Sequence, residues 1–224
     1  MASGVFLGVG CLFPSEDFGF PINEQFIARF RGTFLNDSYL IDPENFIDND
    51  RTCVFLNRMI STITHFLRSR NQPPLNDIRP LRYFTSLHSN KPILGSTMKR
   101  KPGIMLVRLV DNCIINEEPL FWHDAQGFIE QTCESEVPIR MIETIISKAY
   151  LTFTAQPERD FIINLCITGE GFRVIVIDHA GSVETSPMSF ADYFGTVPLL
   201  RLVMGLAFLP DMSWGGRDYN PPRR

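Results

Sequence analysis

The sequence predicts an α/β fold, a mixed central sheet flanked by helices, and three observations carry the prediction. Helical periodicity dominates up to about Asn71, and from Gly103 short Ile- and Val-rich runs of strand length replace it. Two of these runs, 160–168 and 172–178, are separated by Gly169-Glu170-Gly171, the signal of a hairpin. Between the strand candidates stands one amphipathic stretch opened by Pro138, so helices and strands alternate along the chain.

In chain order, Pro21 and Asn23 open a short helix over 24–31, with Phe26, Ile27 and Phe30 at helical spacing. A longer helix over 46–70 repeats the pattern through Val54, Leu56, Met59, Ile60, Ile63, Phe66 and Leu67. Residues 72–102 read as loop, because prolines at 73, 74, 80, 92 and 102 punctuate a polar stretch that ends in Lys99-Arg100-Lys101. The run from Ile104 to Val110 is apolar at nearly every position, as expected of a strand buried on both faces. A second strand over 125–132 places Phe128 and Glu130 on one face and Ile129 on the other. The helix over 139–156 buries a stripe of Met141, Ile142, Ile145, Ile146, Ala149, Tyr150 and Phe153. After the hairpin, a last helix over 189–209 closes the fold, and Pro198 and Gly205 are expected to interrupt it. The organisation expected is an N-terminal helical section with a proline-rich loop over 1–98, an α/β core over 99–218 and a tail over 219–224.

Composition narrows the function classes. The 44% hydrophobic and 21% charged residues are those of a globular chain able to bury a core, and the net charge of −4 is unlike the strongly basic balance of a dedicated nucleic-acid binder. Five cysteines, Cys11, Cys53, Cys113, Cys133 and Cys166, are odd in number and form no C-x-x-C. They are expected to be buried thiols in a reducing compartment rather than disulfides or zinc ligands. No basic residue precedes the apolar segment 5–13, and no apolar run approaches a membrane span, so an intracellular protein, cytoplasmic or nuclear, is expected.

Short motifs give little. Gly8-Val9-Gly10 lacks the third glycine and the Lys-Ser/Thr of a phosphate cradle. Asp17-Phe18-Gly19 spells the metal-binding triplet of protein kinases, yet it precedes any place for a nucleotide lobe. There is no G-x-S-x-G, H-E-x-x-H or H-R-D, and His65, His88, His123 and His179 are scattered.

A longer arrangement is more specific. Arg159-Asp160-Phe161-Ile162-Ile163, then Val174 through Asp178-His179-Ala180-Gly181-Ser182, Ser186-Pro187 and a Phe-rich helix followed by Trp214-Gly215-Gly216-Arg217-Asp218, resembles the fungal-type protein kinase family in the region just upstream of its kinase lobes. Lys101-Pro102, Trp122 and Glu130 stand where that family has Lys-Pro-Asp, Trp and Glu-x-Lys. The resemblance covers about 99–218, and it implies that kinase machinery would follow Asp218, so a phosphotransferase is not expected of this chain.

The same region is similar to the restriction-endonuclease-like core of PD-(D/E)xK nucleases, in which two carboxylates hold Mg²⁺ and a lysine positions the attacking water. Here Gly103 stands in place of the aspartate and Thr132 in place of the lysine, so that Glu130 alone remains. Asp111 or Asp124 would be the substitutes for the lost acid.

The expected function is therefore a non-catalytic binding or scaffold module on a degenerate nuclease-like core, with Lys99, Arg100, Lys101 and Trp122 as contact residues. The alternatives are a residual Mg²⁺-dependent nuclease and a truncated regulatory domain that docks onto a kinase. A protein partner is expected, with nucleic acid at the basic loop and a homo-oligomer as further options. No membrane and no cofactor are expected, and Mg²⁺ enters only with the nuclease alternative.

Overall fold

The computed structural model describes residues 48–69, 79–96, 98–109, 120–189 and 193–210, with the side chains of the last segment described from Pro198 onward. The helix expected over 24–31, Asp111, Cys11, Cys113, Gly8-Val9-Gly10 and Asp17-Phe18-Gly19 lie outside them.

Helix α1 spans Asn49–Ser69 and begins at Asp48, whose carboxylate accepts from the Arg51 backbone N–H at 2.7 Å and so satisfies one of the free donors of the first turn. Its buried stripe of Leu56, Met59, Ile60, Ile63 and Leu67 follows the spacing seen in the sequence. Strand β1, Arg82–Thr85, falls inside the stretch expected to be loop, a correction. Four residues between prolines carry no periodicity that can be read. What makes them a strand is tertiary: β1 pairs antiparallel with β2, and on its outer edge Asn57 of α1 accepts from the Phe84 N–H at 2.9 Å and donates to the Phe84 carbonyl at 2.7 Å. A side-chain amide thus covers backbone groups that an edge strand would otherwise leave open.

Strand β2 spans Ile104–Arg108, and β3 spans Ala125–Gln131 after a 3₁₀ turn at Trp122–Asp124. Helix α2 spans Ile139–Ala155, β4 Phe161–Ile167, β5 Gly171–Asp178, β6 Ser182–Glu184, β7 Met188–Ser189 and helix α3 Tyr193–Phe208. The strands form a mixed sheet of order β1-β2-β3-β4-β5-β6, with β7 also pairing β5. Only β3 and β4 run parallel, and α2 is their crossover; the other neighbours are antiparallel, including the β4–β5 hairpin. The α/β class expected from the sequence is the one observed.

Alternation along the strands sorts side chains to two faces. On one face Ile104, Leu106, Ile129, Ile163, Leu165 and Val174 meet α1 and α3 in the larger core cluster. On the other, Ile162, Cys166, Ile175 and Ile177 meet Met141, Ile145 and Ala149 of α2, while Met105, Val107 and Phe128 meet Trp122 and Leu151. Residues 49–69 and 82–85 therefore share the sheet and core of the segment that follows.

Two helical expectations are corrected. Helix α3 runs unbroken through Pro198 and Gly205: the proline lies near the helix start, where a missing N–H removes one hydrogen bond, and burial of Leu199, Leu202, Val203 and Leu206 holds the rest. The far end is capped by Arg82, fully buried, whose guanidinium donates to the Leu209 carbonyl at 2.6 Å. In α2, Ile146 and Tyr150 are 48% and 63% exposed instead of lying on the buried stripe.

Candidate functional site

Glu130 stands next to the C-terminal end of β3, on the face covered by α2. Its carboxylate pairs with the ammonium of Lys148, which reaches down from the middle of α2 and is 2% exposed against 19% for Glu130. The same ammonium donates to the Pro102 carbonyl at 2.6 Å, just before β2 begins. It also lies 5.6 Å from the Phe128 ring centroid. One side chain thus ties helix, sheet and the end of the basic loop.

Gly103 completes this corner. Its φ of +67° belongs to the left-handed region that favours glycine, and a Cβ there would stand 3.2 Å from Glu130 Oε1, 3.3 Å from the Ile129 carbonyl and 3.4 Å from Lys148 Nζ. The glycine lets the chain pass tightly over the ion pair. Burial, and after it the nearby Arg100 guanidinium, pushes the Lys148 amine down from 10.5 to about 7. In either protonation state the amine can donate to Glu130 and Pro102.

The residues singled out from the sequence divide. Gly103 and Glu130 come together, but the amine at Glu130 comes from Lys148 on α2 and not from position 132. Thr132 lies just past β3, where its N–H donates to the Ile167 carbonyl at 2.9 Å and its hydroxyl accepts from the Glu134 N–H at 3.3 Å. Asp124 is at the opposite end of β3, six residues or about 20 Å along the strand from Glu130. There its carboxylate accepts from the Phe121 N–H at 2.9 Å and lies 3.3 Å from His123 Nε2. As a substitute acid beside Glu130 it is corrected by that distance. Lys99, Arg100 and Lys101 are exposed, as a contact surface requires. Trp122 is fully buried against Phe128, with ring centroids 5.7 Å apart, so it anchors the core and not a partner.

Sequence reasoning passed over Lys148, although a signal was there. It stands three residues after Ile145 and seven after Met141, on the buried stripe, and a lysine at such a position needs a partner. Also missed was a polar staple at the other end of β3. Arg159, 3% exposed, donates to Gln156 Oε1 at 2.6 Å and Gln126 Oε1 at 2.8 Å, while Gln156 Nε2 donates to the carbonyls of Ala125 at 2.8 Å and Trp122 at 3.1 Å. This network fastens the end of α2 to the start of β3, and His179 joins it from its exposed turn through the Arg159 carbonyl at 2.9 Å.

The corner thus holds one carboxylate paired with a buried amine. Among the described residues no group of three or more His, Cys, Asp or Glu side chains converges as a metal site, and no helix is long and apolar enough to cross a membrane.

Comparison with known proteins adds a family. A family model described as fungal protein kinase matches residues 102–218, just over half of the 224-residue chain, from the clamped Pro102 through α3 and beyond. Neither the curated proteins nor the solved structures give a match. The matched span carries β2 to β7, α2, α3 and all three residues of the Gly103, Glu130 and Lys148 corner, and by it the chain belongs to the fungal protein kinase family.

Proposed function

We propose that this chain is a non-catalytic protein-binding module whose sheet retains the outline of a nuclease-like corner without its chemistry. The observation that supports the reading most is the Lys148 ammonium on Glu130. A PD-(D/E)xK centre needs two carboxylates free to share a divalent ion with the scissile phosphate. Gly103 supplies none, and Glu130 is held from within the fold by the Lys148 amine.

The partner we infer is a protein. Lys99, Arg100 and Lys101 form a basic run only three residues long in a chain of net charge −4. That is a short footprint for tracking a nucleic-acid backbone. The regulatory alternative, docking beside kinase lobes, is one form of the same reading and draws its support from family membership alone.

The test is incubation of the purified chain with plasmid DNA and with RNA in Mg²⁺ and in Mn²⁺, alongside an assay for phosphate transfer from labelled ATP. We expect cleavage at background and no transfer. Cleavage well above background that disappears in Glu130→Ala would defeat the reading, because it would require that the carboxylate leave Lys148 and serve a metal.

A further inference from the structure

Helix α2 is apolar on two sides. Its inner side holds Met141, Ile145 and Ala149 against the sheet. Its outer side carries Ile139, 79% exposed, Ile146, 48% exposed, and Tyr150, 63% exposed. These three recur at i, i+7 and i+11, which places them within about 40° of one another around the axis and along about 16 Å of its length. A surface helix usually opposes its buried face with polar residues, and three large exposed apolar side chains gathered on one helix face mark a contact surface.

The charges beside the stripe say what fits it. Glu143 is exposed and lies between Ile139 and Ile146 on the same face, four residues after one and three before the other. Glu136 is exposed just ahead of the helix, and Glu158 follows its end. The two basic side chains of α2 are both paired, Arg140 with Glu134 at 2.5 Å and Lys148 inward with Glu130. The rim is therefore acidic. A second copy of this chain would bring a second acidic rim against the first, and like charges across an interface oppose association.

We infer that the outer face of α2 docks a basic amphipathic helix, whose apolar residues at i, i+3, i+4 and i+7 cover Ile139, Ile146 and Tyr150 while its lysines or arginines meet Glu136, Glu143 and Glu158. The geometry is that of an apolar helix face laid against another, with charge setting the choice of partner. The inference deepens the binding-module reading by naming its surface and partner. It uses the face of α2 opposite Lys148, so the cleavage assay and the test below can fail independently.

The probe is a fluorescein-labelled helical peptide about 18 residues long with leucine at those spacings and lysine elsewhere, compared with the same peptide carrying glutamate in place of lysine. Fluorescence anisotropy with the full chain should show the lysine peptide binding at least about tenfold tighter, with affinity falling as salt is raised from about 50 to about 500 mM. Ile146→Asp should weaken the lysine peptide at least about tenfold. Ile146 is half-exposed, so an unchanged circular dichroism melt separates a lost surface from a lost fold. Glu136→Lys with Glu143→Lys should reverse the preference toward the glutamate peptide, and these exposed positions leave the core untouched. Equal binding of both peptides, or lysine-peptide binding indifferent to Ile146→Asp in a folded variant, overturns the inference. So does concentration-dependent self-association in sedimentation that Ile146→Asp abolishes, since the occupant would then be a second copy.

Discussion

Lys148 concentrates the electrostatics of the fold in one side chain. Its folded value of about 7 lies below the ordinary 10.5, so between those values the unfolded chain binds the proton more readily than the folded one. The penalty of the buried ammonium is therefore complete below pH 7 and is relieved as pH rises toward 10.5, with an upper limit on the order of 5 kcal/mol for the whole interval. Urea midpoints measured from pH 6.5 to pH 10 should show the natural chain gaining stability relative to Lys148→Met over that range. A constant difference would mean that the amine keeps its ordinary value. The thiols make a second prediction at this scale. Burial pushes Cys53 and Cys166 up to about 12, whereas Cys133 is exposed. Iodoacetamide at neutral pH should label Cys133 within minutes and leave Cys53 and Cys166 untouched until denaturant is added, read by peptide mass mapping. Asn164 makes a third. It is fully buried beside Phe128 and Ile175, on the face under α2, and neither atom of its amide has a hydrogen-bond partner among the described residues. Such a group carries its desolvation cost uncompensated, so Asn164→Leu should raise stability by about 1–2 kcal/mol in urea titration. A loss of stability would reveal a bound water or ligand on the amide.

At the scale of elements, what was legible in the sequence and what was not have separable causes. Strands β2, β4 and β5 and helix α1 declared themselves because burial imposes a pattern of several residues, and the Gly169 to Gly171 turn fixes the hairpin. Strand β1 could not be seen, since its four residues are made a strand by β2 on one edge and Asn57 on the other. The interruption expected at Pro198 failed for the same reason in reverse: packing against α1 outweighs one lost hydrogen bond. In α2 the seven apolar positions span too wide an arc for one buried face, a surplus that the sequence displayed and that pattern reading absorbed into the core. The parallel β3–β4 contact contains a further requirement. A Cβ at Gly127 would stand 2.5 Å from the Ile163 carbonyl oxygen, a backbone atom with no freedom to move aside. Gly127→Ala should cost at least about 2 kcal/mol in urea unfolding, and a neutral effect would show that the two strands separate more readily than the register implies.

Taken as a whole, the molecule is a sheet with α1 and α3 on one side and α2 on the other, and its candidate site sits where β2, β3 and α2 meet. Gly103 and Glu130 lie side by side because β2 and β3 are neighbours in the sheet. The sequence could not supply Lys148, whose proximity to Glu130 depends on the rotation of a helix crossing the sheet, nor the separation of Asp124, which follows from the length of β3. That Lys148 holds Glu130 is the central claim, and paramagnetic broadening by Mn²⁺ tests it most directly. In ¹H–¹⁵N spectra of the natural chain at pH 7, the amide signals of Gly103 and Glu130 should lose no more intensity than those of other half-buried residues as Mn²⁺ is raised to about 1 mM, the range in which cellular divalent ions are bound. Selective, saturable loss of the Gly103 and Glu130 signals, reversed by Mg²⁺ and absent in Glu130→Gln, would contradict it.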